Sequence, residues 1–389
     1  MRKNNNIHFI LDDSIDNVFL GEKLGKLTIE YQDTPDIVPF ELLDCFDQSI
    51  RKSGKALLYS SNILTLFHQD GAISKQAAEE ASVFINELED GPVKSALGFV
   101  SPLRRILPVA SGTLNIQQVK AIDKEEKTHV RINLQSFQPK GADTRLTLAT
   151  LQGLRGYDKA FDLIRKKVEQ HGWNEERDIS SLYGRLIADY QPYNPKPDIA
   201  IAKEERAFQA ANDIIKAYIE IARLNEAGII ADKDTEFLHD YRVSLRKVRS
   251  VLSLFKGVYS EEQTQMLKQA FAELMSPTGR LRDLDVYLLD RQNYFELLPE
   301  SLHDGLAIMF DIFATERSDE LNKLSAHLKS SAYKDNISSL ATLFSEADTL
   351  QAGPNADYSA YGYASMLIWK RYRKVCKIAR AITPATDDS

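Results

Sequence analysis

The chain has 389 residues and only two cysteines, Cys45 and Cys376. They stand far apart and match neither a metal-ligand spacing nor a dithiol redox motif, so structural thiols in a reducing cytoplasm are expected. No run of 18 apolar residues occurs, which excludes a helical membrane span by sequence and gives no membrane partner. Met1 to Asn6 lacks the apolar core of a secretory signal, so a cytoplasmic protein is expected. Excess positive charge is missing too: the net charge is −7, whereas a protein that coats nucleic acid indiscriminately is normally basic throughout. Catalytic signatures are equally scarce. There is no Walker loop, no Gly-x-Ser-x-Gly, no Rossmann glycine pattern after a strand and no His-Glu-x-x-His. The short stretch from Gly153 to Gly156 does not replace them. No catalytic residue, cofactor or metal ligand is assigned.

A hydrophobic content of 43% and a charged content of 27% are those of an ordinary globular protein, and the length suggests two or three domains. Residues 1–172 read as mixed α and β. Thr128, Val130, Ile132 and Leu134 alternate with polar residues as in a half-buried strand, and Leu146 and Leu148 open a similar run. Ala56 to Tyr59 and Ile63 to Phe67 flank Ser60-Ser61-Asn62 as a hairpin. Helices are expected from Lys75 to Leu88 and from Tyr157 to His171. Residues 173–197 are expected to be a linker, stiffened by Gln191-Pro192-Tyr193-Asn194-Pro195-Lys196-Pro197. Over 198–389 strand signals vanish. Helical spacing covers Ala200–Leu224, Asp234–Lys256, Glu261–Met275, Asp283–Asn293, Leu302–Leu328, Asn336–Leu350 and Tyr358–Ile382, with short connections that favour antiparallel packing. The expected class is α+β, with a mixed first part and an all-helical second.

The helical part carries three acid-poor basic stretches. In the first, from His239 to Lys256, the side chains of His239, Arg242, Arg246 and Arg249 fall within an arc of about 80° on a helix, apart from Leu245, Val248, Val251, Leu252 and Phe255. A solvated face usually mixes signs, because Glu/Lys pairs three and four apart stabilise it; here only Asp240 accompanies five basic residues. In the second, Ser276-Pro277-Thr278-Gly279 leads into Arg280 and Arg282, just ahead of Asp283 and Asp285. The third holds six basic residues and no acid, with Lys370, Arg373, Lys374, Lys377 and Arg380 on one side of a helix and Tyr372, Val375, Cys376 and Ala379 on the core side. Arginine offers a planar fork of donors that matches phosphate oxygens, and lysine adds a point charge. In such a field His239 reads as a neutral hydrogen-bond donor. The competing reading of any one stretch is a solvated helix face, and Asp283 and Asp285 also suit the positive start of a helix.

The run His239-Asp240-Tyr241-Arg242-Val243-Ser244-Leu245-Arg246-Lys247-Val248-Arg249 resembles the signature helix of CHAD domains, the conserved histidine α-helical domain family. Gly279-Arg280-Leu281-Arg282-Asp283-Leu284-Asp285-Val286 resembles the second motif of that family. The resemblance covers about 198–389 and implies a helical bundle around a basic groove that binds inorganic polyphosphate. It maps His239, Arg242, Arg246, Lys247, Arg249, Arg280 and Arg282 to motif or groove positions. Lys256 and the cluster of Lys370, Arg373, Lys374, Lys377 and Arg380 are further candidates, the cluster resembling the basic helix that closes the first half of the family's internal repeat. A second His-x-x-Arg helix should follow it and does not before Ser389, so the domain is expected to be shortened or the sequence a fragment.

The first part resembles CYTH domains, the triphosphate tunnel enzymes, at Tyr31-Gln32-Asp33-Thr34-Pro35-Asp36, at Ser49 to Leu57 and at Leu154-Arg155-Gly156-Tyr157. That resemblance implies an antiparallel β tunnel with accompanying helices. Its chemistry does not carry over. Where the family has Glu-x-Glu-x-Lys, this chain has Asn4, Asn6 and His8; where Arg-x-Arg and Thr-Leu-Lys are expected, it has Leu57-Leu58-Tyr59-Ser60 and Thr65-Leu66-Phe67. Neutral amides cannot hold a divalent ion beside a triphosphate. Glu125 and Glu126, between Lys124 and Lys127, read as a charged turn. The expected function is non-catalytic binding of inorganic polyphosphate, with a pseudoenzyme as the first domain. The alternatives are a metal-dependent triphosphate phosphohydrolase in the tunnel, or nucleic-acid binding by the basic helices. A cytoplasmic location, in association with polyphosphate granules, is expected, and oligomeric state is not legible.

Overall fold

The computed structural model describes residues 6–11, 24–31, 34–142, 145–187, 190–346 and 349–382. Asn4, the Gln32-Asp33 pair and the last seven residues lie outside the described residues. The chain divides into two compact units, Met1–Tyr193 and Asn194–Ser389.

The first unit is built on one antiparallel sheet. Its strands are β1 (Asn6–Leu11), β2 (Thr28–Tyr31), β3 (Asp36–Cys45), β4 (Ala56–Ser60), β5 (Ile63–Phe67), β6 (Ile73–Ala77), β7 (Ile106–Ile122), β8 (Thr128–Pro139) and β9 (Leu146–Gly153). Their order is β1-β9-β8-β7-β3-β4-β5-β6, with β2 also pairing with β7. The hairpin read at 56–67 is present. Ser61 and Asn62, at φ 51° and 60°, form its two-residue turn, the left-handed pair that matches strand twist. The sheet curls until β1 meets the turn after β5: Asn6 donates to the Gly71 carbonyl at 3.1 Å, and the His8 and Phe67 rings lie 5.9 Å apart. Gly71 takes φ +80°, and a Cβ there would collide with the Asn6 carbonyl.

Alternation along the strands decides what covers each face. Val130, Ile132 and Leu134 of β8 join Val119, Ala121, Ala149 and Leu151 in a core beneath α3 (Asp158–Gln170). On the other half of that outer face, Leu43, Leu57 and Leu66 pack with Ile50 of α1 (Ser49–Lys52) and with Ile85, Val93 and Leu97. The inner face forms one further core, shared by Ile10, Phe40, Leu58, Phe67, Phe137 and Leu148 from six strands.

Two expectations fail here. Lys75 to Leu88 is not a helix. Ile73–Ala77 completes the ladder with β5, and a 3-10 turn at Ile85–Glu87 follows. The stretch is rich in helix formers, but pairing with β5 outweighs a propensity of a few tenths of a kcal/mol per residue (roughly). On its outer side, Gln76 accepts from the Val93 and Lys94 amides at the start of α2 (Pro92–Ala96) and donates to the Glu89 carbonyl. The expected linker over 173–197 is not loose either. Trp173 belongs to the outer core, while Ile179 and α4 (Ser181–Leu186), with Leu182, Tyr183 and Leu186, plug the inner one. Tyr193 is buried against Phe46. Apolar residues in a proline-rich, irregular stretch were thus core contacts without a periodic signature.

The second unit is helical: α5 (Ala207–Ile230), α6 (Thr235–Leu254), α7 (Glu261–Met275), α8 (Gly279–Leu289), α9 (Arg291–Leu297), α10 (His303–Lys329), α11 (Ser331–Ser345) and α12 (Ala360–Ala381). The helix expected at Asp283–Asn293 is two. Its start is earlier, because a 3-10 turn at Ser276–Thr278 carries α7 almost directly into α8. Pro277 is tolerated in that first turn, where its missing N–H is not needed. α5 and α6 pack as an antiparallel hairpin. Gly228 lets the Phe237 ring sit where a Cβ would be only 2.1 Å from it. Asp234 caps α6 by accepting from the Glu236 and Phe237 amides. Tyr241, Leu245, Val248 and Leu252 form the buried stripe of α6, and the Tyr241 hydroxyl meets that of buried Tyr333 at 3.1 Å. Among the described residues, no helix is long and apolar enough to cross a membrane.

Candidate functional site

α6 turns its apolar stripe inward, so His239, Arg242, Arg246 and Arg249 share the opposite side, His239 and Arg242 half-buried and the other two exposed. The tight α7–α8 corner brings a second element to this face. Arg242 donates to the Thr278 hydroxyl, which in turn donates to the Met275 carbonyl at 2.6 Å. Arg249 reaches the Met275 sulfur at 3.6 Å. Burial lowers the pKa of Arg242; Arg282 and Arg246 push in the same direction, and Asp283 opposes them. Three guanidinium groups from α6 and α8 therefore interact across this corner with one carboxylate among them. Arg282 is half-buried, and its buried Nη1 has no hydrogen-bond partner among the described residues. An unpaired buried donor costs about 1–3 kcal/mol, more when charged. An anion at this corner would remove both the repulsion and the unmet donor.

Not every basic residue singled out by the sequence belongs to this corner. Arg280 forms a bidentate pair with Glu316 of α10, Nε–Oε1 2.7 Å and Nη2–Oε2 2.5 Å, and that pair raises its pKa. Lys247 lies over the Tyr218 ring on the α5 side, 5.8 Å from its centroid. Lys256 follows the end of α6, where its carbonyl accepts from Asn355 and Tyr363. Lys370, Arg373, Lys374, Lys377 and Arg380 are all exposed on α12, and none of them forms an ion pair among the described residues. Tyr372 and Val375, expected on the core side of that helix, are exposed, and Cys376 is only half-covered. Their spacing is helical, but nothing in the described residues packs on them.

Asp283 stays at the corner, whereas Asp285 is 2% exposed and accepts from Arg317 Nε at 2.7 Å. Arg317 also grips Asp232 with both terminal nitrogens, at 2.9 and 2.7 Å. Asp285 therefore serves as an internal tie between α8, α10 and the α5–α6 turn, not as a helix-start charge. Thr278, Glu316 and Arg317 carry no sequence signal, because each matters only through a partner at least 32 residues away.

In the first unit, the positions that would carry tunnel chemistry lie in or beside packed cores. Leu58 and Phe67 are in the inner core, with Leu57 and Leu66 in the outer one. His8 is 3% exposed and its Nδ1 pairs with the Thr150 hydroxyl at 3.0 Å. Burial lowers its pKa to about 4, against a smaller opposing effect of Asp70. Glu125 and Glu126 sit in the β7–β8 turn, where Glu125 pairs with Lys127 at 2.6 Å and Asp123 accepts from the Glu125 and Lys127 amides. Among the described residues no group of three or more His, Cys, Asp or Glu could hold a metal ion.

Residues 213–389 match the family model described as the CHAD domain. This stretch is a CHAD domain. The chain is also similar to the crystal structure of the CHAD domain from the plant Ricinus communis, at 21% identity and a TM-score of 0.38, over 49% of this chain and 61% of that one. It thus spans less than two thirds of the plant protein. Two bacterial proteins provisionally called adenylate cyclases are similar as well. The one from Vibrio parahaemolyticus has 9% identity and a TM-score of 0.28, over 46% of this chain and 97% of its own. The one from Bacillus halodurans has 15% identity and a TM-score of 0.28, over 45% and 94%. No curated protein matches the chain. The curled antiparallel sheet ahead of the CHAD domain is consistent with the CYTH-like fold expected from the sequence.

Proposed function

We propose that this protein binds inorganic polyphosphate, without turning it over, on the α6–α8 face of its CHAD domain. The observation that carries the reading is the meeting of Arg242, Arg246 and Arg282, with a buried Arg282 nitrogen that no described residue satisfies. Successive phosphates neutralise these cations and release counterions, so affinity falls steeply with salt, by the law known for nucleic acids. Arg249 and His239 extend the face along α6, and the cations of α12 lengthen the track. Lys247, which lies over the Tyr218 ring, and the paired Arg280 contribute less, and Lys256 adds an exposed charge at the end of α6.

In this reading the first unit is a pseudoenzyme. Support comes from the side chains that fill the inner face of its sheet, where a tunnel would need charges. Full-length protein supplied with magnesium or manganese is expected to release no phosphate from triphosphate; turnover would restore the enzyme reading. A cytoplasmic protein associated with polyphosphate granules fits the same function.

The test is a titration of the full chain with medium-chain polyphosphate over a salt series, with ATP as control. Tight binding that weakens with salt and resists ATP is expected. The triple variant Arg242→Glu, Arg246→Glu, Arg249→Glu should lose binding while keeping its far-UV circular dichroism; retained binding overturns the site. A single-stranded nucleic acid is the second reading, favoured by the exposed, stacked Trp369 and Tyr372 rings, 5.6 Å apart within a basic helix. If RNA displaces polyphosphate at equal phosphate concentration, that reading gains.

A further inference from the structure

The arginines of the helical unit are held in two different ways. Arg280 is gripped by Glu316, and Arg317 by Asp232 and Asp285, so these guanidinium groups are neutralised where they sit. Arg242 and Arg249 are held by groups without charge. Arg242 donates through Nη1 to the Thr278 hydroxyl, and Arg249 donates through Nη1 to the Met275 sulfur at 3.6 Å. Neither forms an ion pair among the described residues. Both acceptors come from the short α7–α8 connection, in which Ser276–Thr278 forms the 3-10 turn.

Thr278 is placed for this task. It is 0% exposed, so a polyanion senses it only through its neighbours. A hydroxyl has one hydrogen to donate and two lone pairs. The hydrogen goes to the Met275 carbonyl at 2.6 Å, so toward Arg242 the oxygen is an acceptor only. Arg242 stands among like charges: Arg282 and Arg246 both act on it, and Asp283 opposes them. An untethered arginine would swing away from the other two. Binding would then have to bring it back against repulsion and at the cost of its rotamer freedom. A carboxylate in place of the hydroxyl would hold the side chain as firmly, but it would cancel the charge that an anion needs, as Glu316 does for Arg280.

We infer that Thr278 is the positioning residue of the anion corner: its buried hydroxyl fixes the Arg242 guanidinium near Arg246 and Arg282 before any anion arrives, and leaves the charge intact. The inference rests on the anion reading of that corner given above. It assigns part of the affinity to a neutral side chain that the ligand does not touch, acting by preorganisation of one that it does. It also separates the arginines of α6 by role. Arg242 is set in advance. Arg246 is exposed, its guanidinium has no hydrogen-bond partner among the described residues, and it is ordered only on binding.

The experiment has two arms, both on the full chain. The first uses no polyanion: nuclear magnetic resonance of protein carrying isotope-labelled arginine, with Arg242 assigned by comparison with Arg242→Ala. A hydrogen bond at Nη1 hinders rotation about the Cζ–Nη1 bond, so the wild type should give resolved Nη1 and Nη2 signals for Arg242 and averaged ones for Arg246. Thr278→Val should average the Arg242 pair, and Thr278→Ser should keep it resolved. Averaged wild-type signals overturn the inference, whether or not the valine variant folds. The second arm is polyphosphate affinity at low salt, where single variants still bind. Thr278→Val should weaken it about fivefold, the worth of one hydrogen bond, and Thr278→Ser should stay within about twofold of the wild type. In an Arg242→Ala background the same valine exchange should change nothing further. A loss that persists there comes from a damaged scaffold and overturns the inference. If the wild type binds no polyphosphate, the polyphosphate reading falls, and the resonances still decide whether Thr278 holds Arg242.

Discussion

Asp44 and His8 give the first unit two titrations of opposite sign. Asp44 is 2% exposed and accepts from the amides of Cys45, Ile50 and Arg51. Burial nevertheless pushes its pKa up to about 7, so the folded form keeps a proton that the unfolded chain releases near 4. Its contribution to stability is full below about pH 4 and is lost as pH rises to about 7. Burial lowers His8 to about 4, so its contribution is full above about 6.5 and is lost as pH falls through about 4. The effects amount to about 4 kcal/mol for Asp44 and about 3 kcal/mol for His8, and in the wild type they largely offset each other over one window. Asp44→Asn should therefore unmask His8: denaturant titrations should find the first unit weaker at pH 4.5 than at pH 7. His8→Gln should reverse that slope. A flat profile in both variants would refute the assignments. Residue identity also separates two neighbouring arginines. Arg280→Ala should change polyphosphate affinity less than twofold, because Glu316 already neutralises Arg280, whereas Arg282→Ala should weaken it about tenfold, the effect of one charge-assisted hydrogen bond.

Elements differ in how much of them the sequence revealed. α6 was legible as an element, because Asp234–Lys256 carries a clean 3.6-residue stripe and the basic face follows from the same periodicity; its Asp234 cap emerged only from the structure. β4, β5 and β8 were legible from alternation and from the Ser61-Asn62 turn. Lys75 to Leu88 was not, since its ladder partner is set by the hairpin before it and its own residues favour a helix. α12 misled in the other direction: its stripe has core spacing, yet no described residue covers it. Close packing between elements is likewise invisible until both sides are known. Gly228 reads as an ordinary weak point in a helix, but it is the notch for Phe237. Gly228→Ala should lower the stability of the helical unit by about 1–3 kcal/mol, the usual range for overpacking, although alanine is the better helix former. Thermal melts followed at 222 nm would measure it, and an unchanged or higher midpoint would show that the Phe237 ring yields freely.

At the scale of the whole molecule, charge is distributed and not merely summed. A chain of net charge −7 carries a compact basic corner and a basic helix, so its long-range field does not attract a polyanion uniformly. The salt dependence of binding should consequently report a handful of contacts: the slope of log affinity against log salt should become shallower by about 2–3 in the Arg242, Arg246, Arg249 triple variant if any binding persists. The unchanged slope of a diffuse field would contradict a defined corner. Both fold classes were readable from the sequence, since strands end and helices take over near the proline segment. The filled inner face was not, because the residues that plug it, Ile179 to Leu186, come from a stretch without periodicity. Gln76 has a consequence beyond the fold. Gln76 stands on the outer face of β6, the last strand of the sheet, and there holds the start of α2 through two of its amides and the Glu89 carbonyl just before it. Loss of that clasp would loosen the helix that covers Leu57 and Leu66, so Gln76→Ala should let the amide hydrogens of this last hairpin exchange sooner than those of the central strands.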